Sequence, residues 1–512
     1  MMFTPLQIAL SQLTLFLLLA EKIKCEPVYF EEPANPHHQK TFELKRGVIA
    51  HLFMWRYLDI ANECEQFLSK KGFDAVQISP PTDHVEAAGL MNRYQVVSYQ
   101  LINRLGSEHQ LRDMVNRCNS VGVRVFANVV FNHMTIMKEN LVGTGGSSVY
   151  PKEMYYPGVP YTKEDFHPPC DIPEDKPVNA KQMRECQKFG MNDLDQSRES
   201  VREKIVHHLN HLIEIGVAGF SIDSAINMHP DDLSVIYQRV NHLNTEHGFP
   251  AETRPMIYQD VLILDGTEPV KYEEYTPLGL VMDYKFGRQL GKFFLSEKNL
   301  NYLENFGSEA SVLSKKQRVV FVEDYITERI GDVAYLNYQN PKRYKMAVMF
   351  MLAHGDYTSK IFSSFQFSKY RQEPSDLPPR PIKKNICSNG WECQHRWHQI
   401  YSAVEFHNVV QGTPVTDWWS NGVNQIAFCR GNKGFVAFNL DSVELNKNLQ
   451  TRLPEGEYCD IISGEVTSTG CSGKTIKVGK DGKARILIPK FDPASVDDGF
   501  VAIHIQSGIV YE

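Results

Sequence analysis

The sequence has no apolar run long enough to cross a lipid bilayer. Its most apolar stretch, residues 8–20 (IALSQLTLFLLLA), is interrupted by Ser, Gln and Thr, whereas a spanning helix needs about 20 apolar residues. A short apolar run at this position is typical of a cleaved secretory signal, and cleavage after Ala20 and cleavage after Cys25 both fit. We therefore expect residues 1–25 to be a signal peptide, the mature chain to be secreted and extracellular, and no membrane partner.

Clustered positive charge is also missing. Lys and Arg number 54 against 61 Asp and Glu, the net charge is −7, and the basic residues are scattered along the chain. This pattern excludes the basic surface with which proteins bind nucleic acid. A neutral polar ligand fits the charge balance better than a polyanion does.

The chain has few cysteines, but most of them can form disulfide pairs. Secretion would permit disulfides, and eight of the ten cysteines form an even set: Cys64, Cys118, Cys170, Cys186, Cys387, Cys393, Cys459 and Cys471. Cys25 and Cys429 are left over. Cys429 lies in a stretch of alternating apolar and polar residues, so we expect a buried, inert thiol there.

Apolar strand-like runs alternate with helical patterns along most of the chain. The eight strand candidates are residues 48–53, 75–79, 124–130, 219–223, 256–261, 279–286, 318–323 and 360–365. Eight strands alternating with helices predict a closed parallel (β/α)8 TIM barrel, which we assign to residues 26–131 and 200–411.

Two regions depart from this alternation. Residues 132–199 are too long for a loop between a strand and a helix, so we expect a small inserted domain after the third strand. From residue 412 the pattern changes to short alternating strands broken by turns, such as QIAFCRGNKGFVAFNL. This predicts a C-terminal all-β sandwich domain over residues 412–512.

One strand candidate ends in a carboxylate. Residues 217–229 (VAGFSIDSAINMH) give a buried run that leads into Asp223. Because the C-terminal ends of barrel strands carry catalytic groups, Asp223 is a candidate nucleophile. The alternative is that Asp223 caps the helix that follows.

Several segments, in this order, resemble animal-type α-amylases of glycoside hydrolase family 13. They include GFDAVQISPP, RYQVVSYQL, RVFANVVFNHM, LIEIGVAGFSIDS, MIYQDV, VVFVED and RYKMAVMFMLAHG. The resemblance implies hydrolysis of internal α-1,4 bonds of starch or glycogen by a retaining mechanism. It also implies the disulfide pairs 64–118, 170–186, 387–393 and 459–471.

The resemblance further implies a Ca²⁺ ion between the inserted domain and the barrel. Its ligands would be the Asn132 side chain, the Arg184 carbonyl, the Asp193 carboxylate and the Asn227 carbonyl, all oxygens, as a hard cation requires. The family usually has His where this chain has Asn227. Since a main-chain carbonyl binds the ion, that exchange should cost little. The alternative is that Asn132 and Asp193 cap turns.

Compared with the family, the catalytic trio of this chain is incomplete. Asp223 matches the nucleophile, Asp260 stands where the acid/base Glu is expected, and Ile326 replaces the third carboxylate. An Asp is one methylene shorter than Glu, and a misplacement of about 1 Å can cost about a hundredfold in rate. Isoleucine can neither accept hydroxyl hydrogen bonds nor offset positive charge. We therefore expect a pseudoenzyme that binds an α-glucan or acts as a decoy, with an active α-amylase as the alternative.

Some of the residues expected to contact the sugar are also replaced. Leu90 and Met91 replace a tryptophan pair, whereas Tyr94, Gln95 and His133 remain, which leaves some sugar affinity in the innermost subsite. A packed structural role for His133 is equally open. We expect the protein to be a monomer.

The resemblance also points to an altered chloride site. Relatives hold this ion with two arginines and an asparagine, where this chain has Ser221, Asp324 and Lys342. We expect Asp324 and Lys342 to pair and no chloride to bind.

Overall fold

The computed structural model describes residues 40–87, 89–172, 179–264, 266–309, 313–366, 387 and 390–509. The predicted signal peptide, with Cys25, lies outside these residues. No helix of the described part is long and apolar enough to cross a membrane.

Eight parallel strands close into a barrel, as the alternating pattern predicts. They are β1 (Val48–Leu52), β2 (Ala75–Ile78), β3 (Arg124–Val129), β4 (Gly219–Ile222), β5 (Met256–Gln259), β6 (Leu280–Met282), β7 (Arg318–Val320) and β8 (Thr358–Ser363). Each strand pairs with the next in the chain, and β8 pairs with β1 from Val48↔Ser359 to Leu52↔Ser363. The strands are buried on both faces, which explains why they are continuous apolar runs in the sequence.

The α-helices of the described residues are α1 (Tyr57–Glu63), α2 (Glu108–Ser120), α3 (Ala180–Glu185), α4 (Glu199–Ile215), α5 (Pro230–Arg239), α6 (Tyr284–Phe294), α7 (Phe306–Glu309), α8 (Pro341–His354) and α9 (His398–Val410). Local signals set their ends. The Ser107 hydroxyl accepts from the Gln110 N–H at the start of α2, and the Gln110 side chain accepts from the Ser107 N–H. Gly216 ends α4 at a φ of 106°, a conformation that favours glycine.

Between β3 and β4 the chain leaves the barrel. Residues His133–Ile136 pair antiparallel with Met191–Asp193 to form a small two-stranded sheet. The same region contains α3 and the Cys170–Cys186 disulfide. This excursion brings side chains that are distant in sequence to the rim of the barrel.

The C-terminal region packs two four-stranded antiparallel sheets together. Their strands are β9 (Val415–Ser420), β10 (Gln425–Arg430), β11 (Gly434–Asn439), β12 (Leu445–Gln450), β13 (Gly456–Cys459), β14 (Thr475–Val478), β15 (Lys483–Ile488) and β16 (Phe500–His504), in the orders β9-β10-β11-β16 and β12-β15-β14-β13. Burial alternates along β15, where Ala484, Ile486 and Ile488 face the core. The predicted all-β fold is therefore observed.

All four disulfides implied by the resemblance are formed, namely Cys64–Cys118, Cys170–Cys186, Cys387–Cys393 and Cys459–Cys471. Cys429 is free and buried. Its Sγ lies 3.2 Å from the Gln450 carbonyl oxygen, and burial raises the pKa of the thiol to about 12. The expectation of a buried thiol is confirmed, and a raised pKa disfavours the reactive thiolate.

Candidate active site

Asp223 and Asp260 lie side by side at the C-terminal rim of the barrel. Asp223 follows β4, and its N–H donates to the Val129 carbonyl of β3 at 2.9 Å. Asp260 follows β5, and its N–H donates to the Ile222 carbonyl of β4, also at 2.9 Å. The backbones of both residues therefore extend the barrel hydrogen-bond ladder by one step, in the place where such barrels carry catalytic groups.

The Asp223 carboxylate accepts two hydroxyl hydrogen bonds. Ser224 Oγ donates to its Oδ2 at 2.9 Å, and Tyr325 Oη donates to its Oδ1 at 3.3 Å. Lys188 Nζ donates in turn to Ser224 Oγ at 3.0 Å, so a cation from the inserted region is linked to Asp223 through one hydroxyl. The next two helical elements have no side-chain cap at their starts, so Asp223 is not the capping residue that the alternative required.

Asp260 is a buried carboxyl with a raised pKa. Burial, and then the charge of Asp223, raise the pKa of its carboxyl to about 6, while Lys188 and a hydrogen bond from Tyr284 act in the opposite direction. Tyr284 Oη donates to Asp260 Oδ1 at 2.8 Å. A carboxyl that titrates near neutral pH can both give and take a proton.

The position to which the resemblance assigns the third carboxylate is Ile326. Ile326 lies after β7, and its side chain is half-buried against the main hydrophobic core. The nearby Asp324 does not replace it, because Asp324 is fully buried and its Oδ1 accepts from the N–H groups of Ile326 and Thr327, both at 2.9 Å. Asp324 therefore holds a backbone turn and is not available to a ligand.

The expected pair between Asp324 and Lys342 is wrong. Lys342 lies in the first turn of α8, outside the barrel, and its Nζ donates to the Ser495 carbonyl at 2.9 Å and to Ser495 Oγ at 2.8 Å. The cation beside Asp324 is Lys360 of β8, whose Nζ lies 3.9 Å from Asp324 Oδ2 with both side chains fully buried. The physical reason is that β7 and β8 are neighbours, so that Asp324, beyond the end of β7, lies close to Lys360.

The remaining position expected at the chloride site is inside the barrel. Ser221 lies on β4 and is buried. Lys360 lies in the eighth strand, within the segment TSKIFSS. The apolar run at residues 360–365 already predicted a strand there. Burial lowers the pKa of the Lys360 ammonium, and the charge of Asp324 partly offsets that effect.

The three residues that were expected to contact a sugar are all buried, and each takes part in hydrogen bonds with other residues of the protein. His133 Nε2 is hydrogen-bonded to the Tyr94 carbonyl oxygen at 3.1 Å, and burial lowers the pKa of His133 to about 4. Gln95 Oε1 accepts from the Ile136 N–H at 3.3 Å, and its Nε2 donates to Asn92 at 3.1 Å. Met91, at one of the expected tryptophan positions, is 53 % exposed.

A stack of aromatic rings stands beside Asp223 and was not predicted. Tyr325 lies between Tyr94 and Phe53, with ring centroids 5.1 Å apart on each side and interplanar angles of 7° and 16°. Phe53 continues the stack to Phe365 at 6.3 Å and 2°. These residues lie in the segments that follow β1, β2, β7 and β8, so no local sequence pattern could have revealed the stack.

The sequence matches two domain families along its length. Residues 63–370 match the family described as "Alpha amylase, catalytic domain", and residues 418–497 match "Alpha amylase, C-terminal all-beta domain". The chain belongs to the α-amylase family. The resemblance identified from the sequence segments is thereby confirmed.

Individual members of the α-amylase family are similar over nearly their whole length. The chain is 45 % identical over 475 residues to an α-amylase of Tenebrio molitor, covering 91 % of this chain and 99 % of that one. It is 44 % identical over 485 residues to an α-amylase-related protein of Drosophila ananassae, with coverages of 93 % and 96 %. A crystal structure of an α-amylase I variant from Eisenia fetida in complex with maltohexaose has a TM-score of 0.84 and 35 % identity, covering 91 % of this chain and 99 % of that one.

The residues expected to bind Ca²⁺ in this α-amylase fold fit a hard cation by donor type. Asn132 Oδ1 is buried and has no hydrogen-bond partner among the described residues, and the Asn132 amide donates to Asp193 Oδ1 at 3.3 Å. Asn227 Nδ2 donates to the carbonyl of Met183, the neighbour of Arg184, at 2.9 Å. The Arg184 guanidinium instead contacts Glu274 at 2.7 Å, so only its carbonyl remains as a possible ligand.

No group of three or more His, Cys, Asp or Glu side chains is placed to bind a metal in the part of the chain that the structure describes. An ion bound here would therefore depend on the amide oxygen of Asn132 and on main-chain carbonyls, beside the single carboxylate of Asp193. Oxygen donors of this mixed kind suit Ca²⁺ better than a transition metal.

Proposed function

We propose that this α-amylase-family protein is secreted and has impaired or absent hydrolysis, and that it retains the fold to bind an α-glucan or to act as a decoy. The observation that supports the proposal is that Ile326, which we assign to the third catalytic position, is an apolar side chain packed on the core, while the neighbouring Asp324 is buried and bound to backbone N–H groups. The four disulfides support secretion, since such bonds persist in oxidising compartments. The chain is proposed to act as a monomer.

The missing carboxylate removes a large part of the expected transition-state stabilisation. Cleavage of a glycosidic bond passes through a sugar that carries positive charge, and retaining enzymes of this kind meet it with carboxylates placed around the anomeric carbon. Loss of one preorganised electrostatic partner typically costs about 3–4 kcal/mol of activation free energy. Ile326 can supply neither charge nor a hydrogen-bond acceptor.

Asp260 would further weaken hydrolysis, because it is less well placed than Glu to protonate the leaving oxygen. Its side chain is shorter than the expected Glu, and Tyr284 Oη holds its Oδ1 at 2.8 Å. A general acid must lie within hydrogen-bond reach of the oxygen that it protonates. The shorter side chain, bound to Tyr284, starts further from that oxygen than Glu would.

One observation favours the second candidate, an active α-amylase. Asp260 titrates at a pKa of about 6 beside Asp223, as the acid and nucleophile of a retaining glycosidase require. In that case Asp223 would attack the anomeric carbon and Asp260 would protonate the leaving oxygen.

The two candidates are separated by an assay on soluble starch and on a chromogenic maltooligosaccharide. The matched control is Asp223→Asn, which removes the nucleophile and keeps the side chain nearly isosteric. We expect the native protein and this variant to give the same background rate. Turnover of the native protein clearly above that control would show that hydrolysis through Asp223 remains and would refute the proposal that it is absent.

The proposal also covers the ions and the domain limits. We expect Ca²⁺ to bind at Asn132, Arg184, Asp193 and Asn227. The ion would clamp the inserted domain (132–199) to the barrel (26–131 and 200–411). The C-terminal β domain would comprise residues 412–512. Chloride is not expected, because the buried Lys360 is already matched by Asp324. One buried cation beside one buried carboxylate leaves little net charge for a halide to balance.

A further inference from the structure

Tyr325 makes two contacts that a bound sugar would be expected to make. Its ring lies parallel to Tyr94, with centroids 5.1 Å apart and an angle of 7°, as a pyranose ring stacks on an aromatic face. Its hydroxyl donates to Asp223 Oδ1 at 3.3 Å, on the carboxylate expected to face the anomeric carbon. Only 3 % of Tyr94 and 6 % of Tyr325 are exposed.

We infer that Tyr325 is a built-in occupant of the innermost sugar subsite and excludes an α-glucan from the space between Tyr94 and Asp223. This inference rests on the proposed function. The proposed site lacks a carboxylate, and Tyr325 would in addition block the subsite. It also corrects the expected role of Tyr94, whose ring is covered by Tyr325 and has no face open to a sugar.

The surrounding structure holds Tyr325 in this position. On its far side the ring packs on Phe53 at 5.1 Å and 16°. The Arg329 guanidinium lies 5.9 Å from the centre of the Phe53 ring, and its Nη1 donates to the Tyr325 carbonyl at 3.4 Å.

The backbone that carries Tyr325 is equally fixed. Asp324 Oδ1 accepts from the N–H groups of Ile326 and Thr327, and the Glu328 N–H donates to the Asp324 carbonyl at 3.0 Å. Asp324 is itself buried beside Lys360. Moving the ring out of the site would therefore break both an aromatic stack and a hydrogen-bonded turn, so Tyr325 is a fixed part of the site and not a mobile gate.

Binding of maltotriose tests the inference without reference to hydrolysis. By isothermal titration calorimetry, Tyr325→Ala should bind maltotriose at least about tenfold more tightly than the native protein, since truncation opens the Tyr94 face. Tyr325→Phe keeps the ring and should bind as the native protein does. Tyr325→His, which keeps a smaller ring, should also bind more tightly and carries the test if the alanine variant does not fold.

Phe365→Ala is the matched control, because it removes a ring from the same stack without touching Tyr94 or Asp223. It should leave the affinity for maltotriose unchanged. The inference is overturned if the native protein binds maltotriose as tightly as Tyr325→Ala or Tyr325→His, or if Phe365→Ala shows the same gain.

A second experiment separates the occupant from the missing carboxylates. The double variant Asp260→Glu/Ile326→Asp restores both acids, and the triple variant adds Tyr325→His. We expect hydrolysis of a chromogenic maltooligosaccharide only in the triple variant. If the double variant hydrolyses it at the same rate, the occupancy is refuted while the proposed loss of chemistry stands. If the native protein hydrolyses it, the proposed function fails and the maltotriose affinities still decide on Tyr325.

Discussion

At the scale of single residues, the site is defined by how its carboxyl groups are held. Asp223 accepts from two hydroxyls and is linked to Lys188 through Ser224, whereas the Asp260 carboxylate accepts from the Tyr284 hydroxyl. Ser224 sits at a φ of 53°, in the left-handed region that non-glycine residues rarely adopt. Such strain at the end of a barrel strand is typical of functional sites, where the surrounding structure fixes it.

Asp260 makes the folded state sensitive to pH. Burial and the Asp223 charge raise its pKa from 3.8 to about 6, so the folded protein binds this proton more tightly than the unfolded chain does. Its contribution to stability is therefore lost as pH rises between those two values, by roughly 3 kcal/mol in total. We predict that Asp260→Asn raises the melting temperature at about pH 8 and leaves it unchanged at about pH 3, below both pKa values.

Asp332 provides a control of opposite sign. Burial alone would raise the pKa of its carboxyl, but hydrogen bonds from Arg288 and the Ala334 N–H lower it below the usual value. Asp332→Asn should therefore lower the melting temperature near neutral pH. Calorimetric scans of both variants check the pair, and the same direction of change in both would contradict the assignment for Asp260.

At the scale of elements, Asp324 in the segment after β7 and Lys360 of β8 form a buried ion pair. The pair could not be predicted from the sequence, because it depends on which lysine lies close to Asp324. Lys342 in the segment NPKRYK looked suitable, but it lies on the outer helix α8, and the eighth strand places Lys360 beside Asp324. Register between adjacent parallel strands decided the partner, and only the closed barrel fixes that register.

We predict that Asp324→Asn creates a halide dependence that the native protein does not have. The variant leaves the Lys360 ammonium buried without the charge of its ion-pair partner, and an anion would then restore the balance. The melting temperature of the variant should rise with added bromide. Lys342→Met is the control and should show no such response. A bromide-dependent melting temperature in the native protein would contradict the native pairing.

The inserted region and the barrel are expected to share the Ca²⁺ ion. Asn132, which follows β3, contacts Asp193 of the inserted sheet, and Asn227, beyond β4, contacts Met183 of α3. Chelation by EDTA should therefore lower the melting temperature, because a ligand that binds only the folded state stabilises it. Asn132→Ala should be insensitive to EDTA. An EDTA-treated native protein that melts at the original temperature would show that the ion is not bound.

At the scale of the whole molecule, the sequence predicts the large features and misses those that depend on distant contacts. The eight alternating runs predict the barrel, and the turn-rich tail predicts the β domain, because hydrophobic period and turn residues are local properties. The position of Asp223 follows from a strand end, whereas Asp260 and Ile326 were assigned only by the resemblance to the family. The stack of Phe53, Tyr94, Tyr325 and Phe365 could not be predicted, since its members meet only when the barrel closes.

The barrel and the C-terminal domain are joined by a buried arginine, and this contact should control their common stability. Arg430 of β10 donates to the Ala353 carbonyl at the end of α8 and to Asp356, both at 2.6 Å, and it is 1 % exposed. Removing one partner of a buried, hydrogen-bonded ion pair typically costs about 3–5 kcal/mol, because the other charge stays buried and unpaired. Asp356 is more accessible, so the lower end of that range is expected for Arg430→Met in urea unfolding.

Arg452→Met removes a second arginine of the same domain, which contacts Asp417 at the surface, and should change stability little since exposed pairs contribute little. Equal losses in the two variants would show that Arg430 does not hold the two domains together.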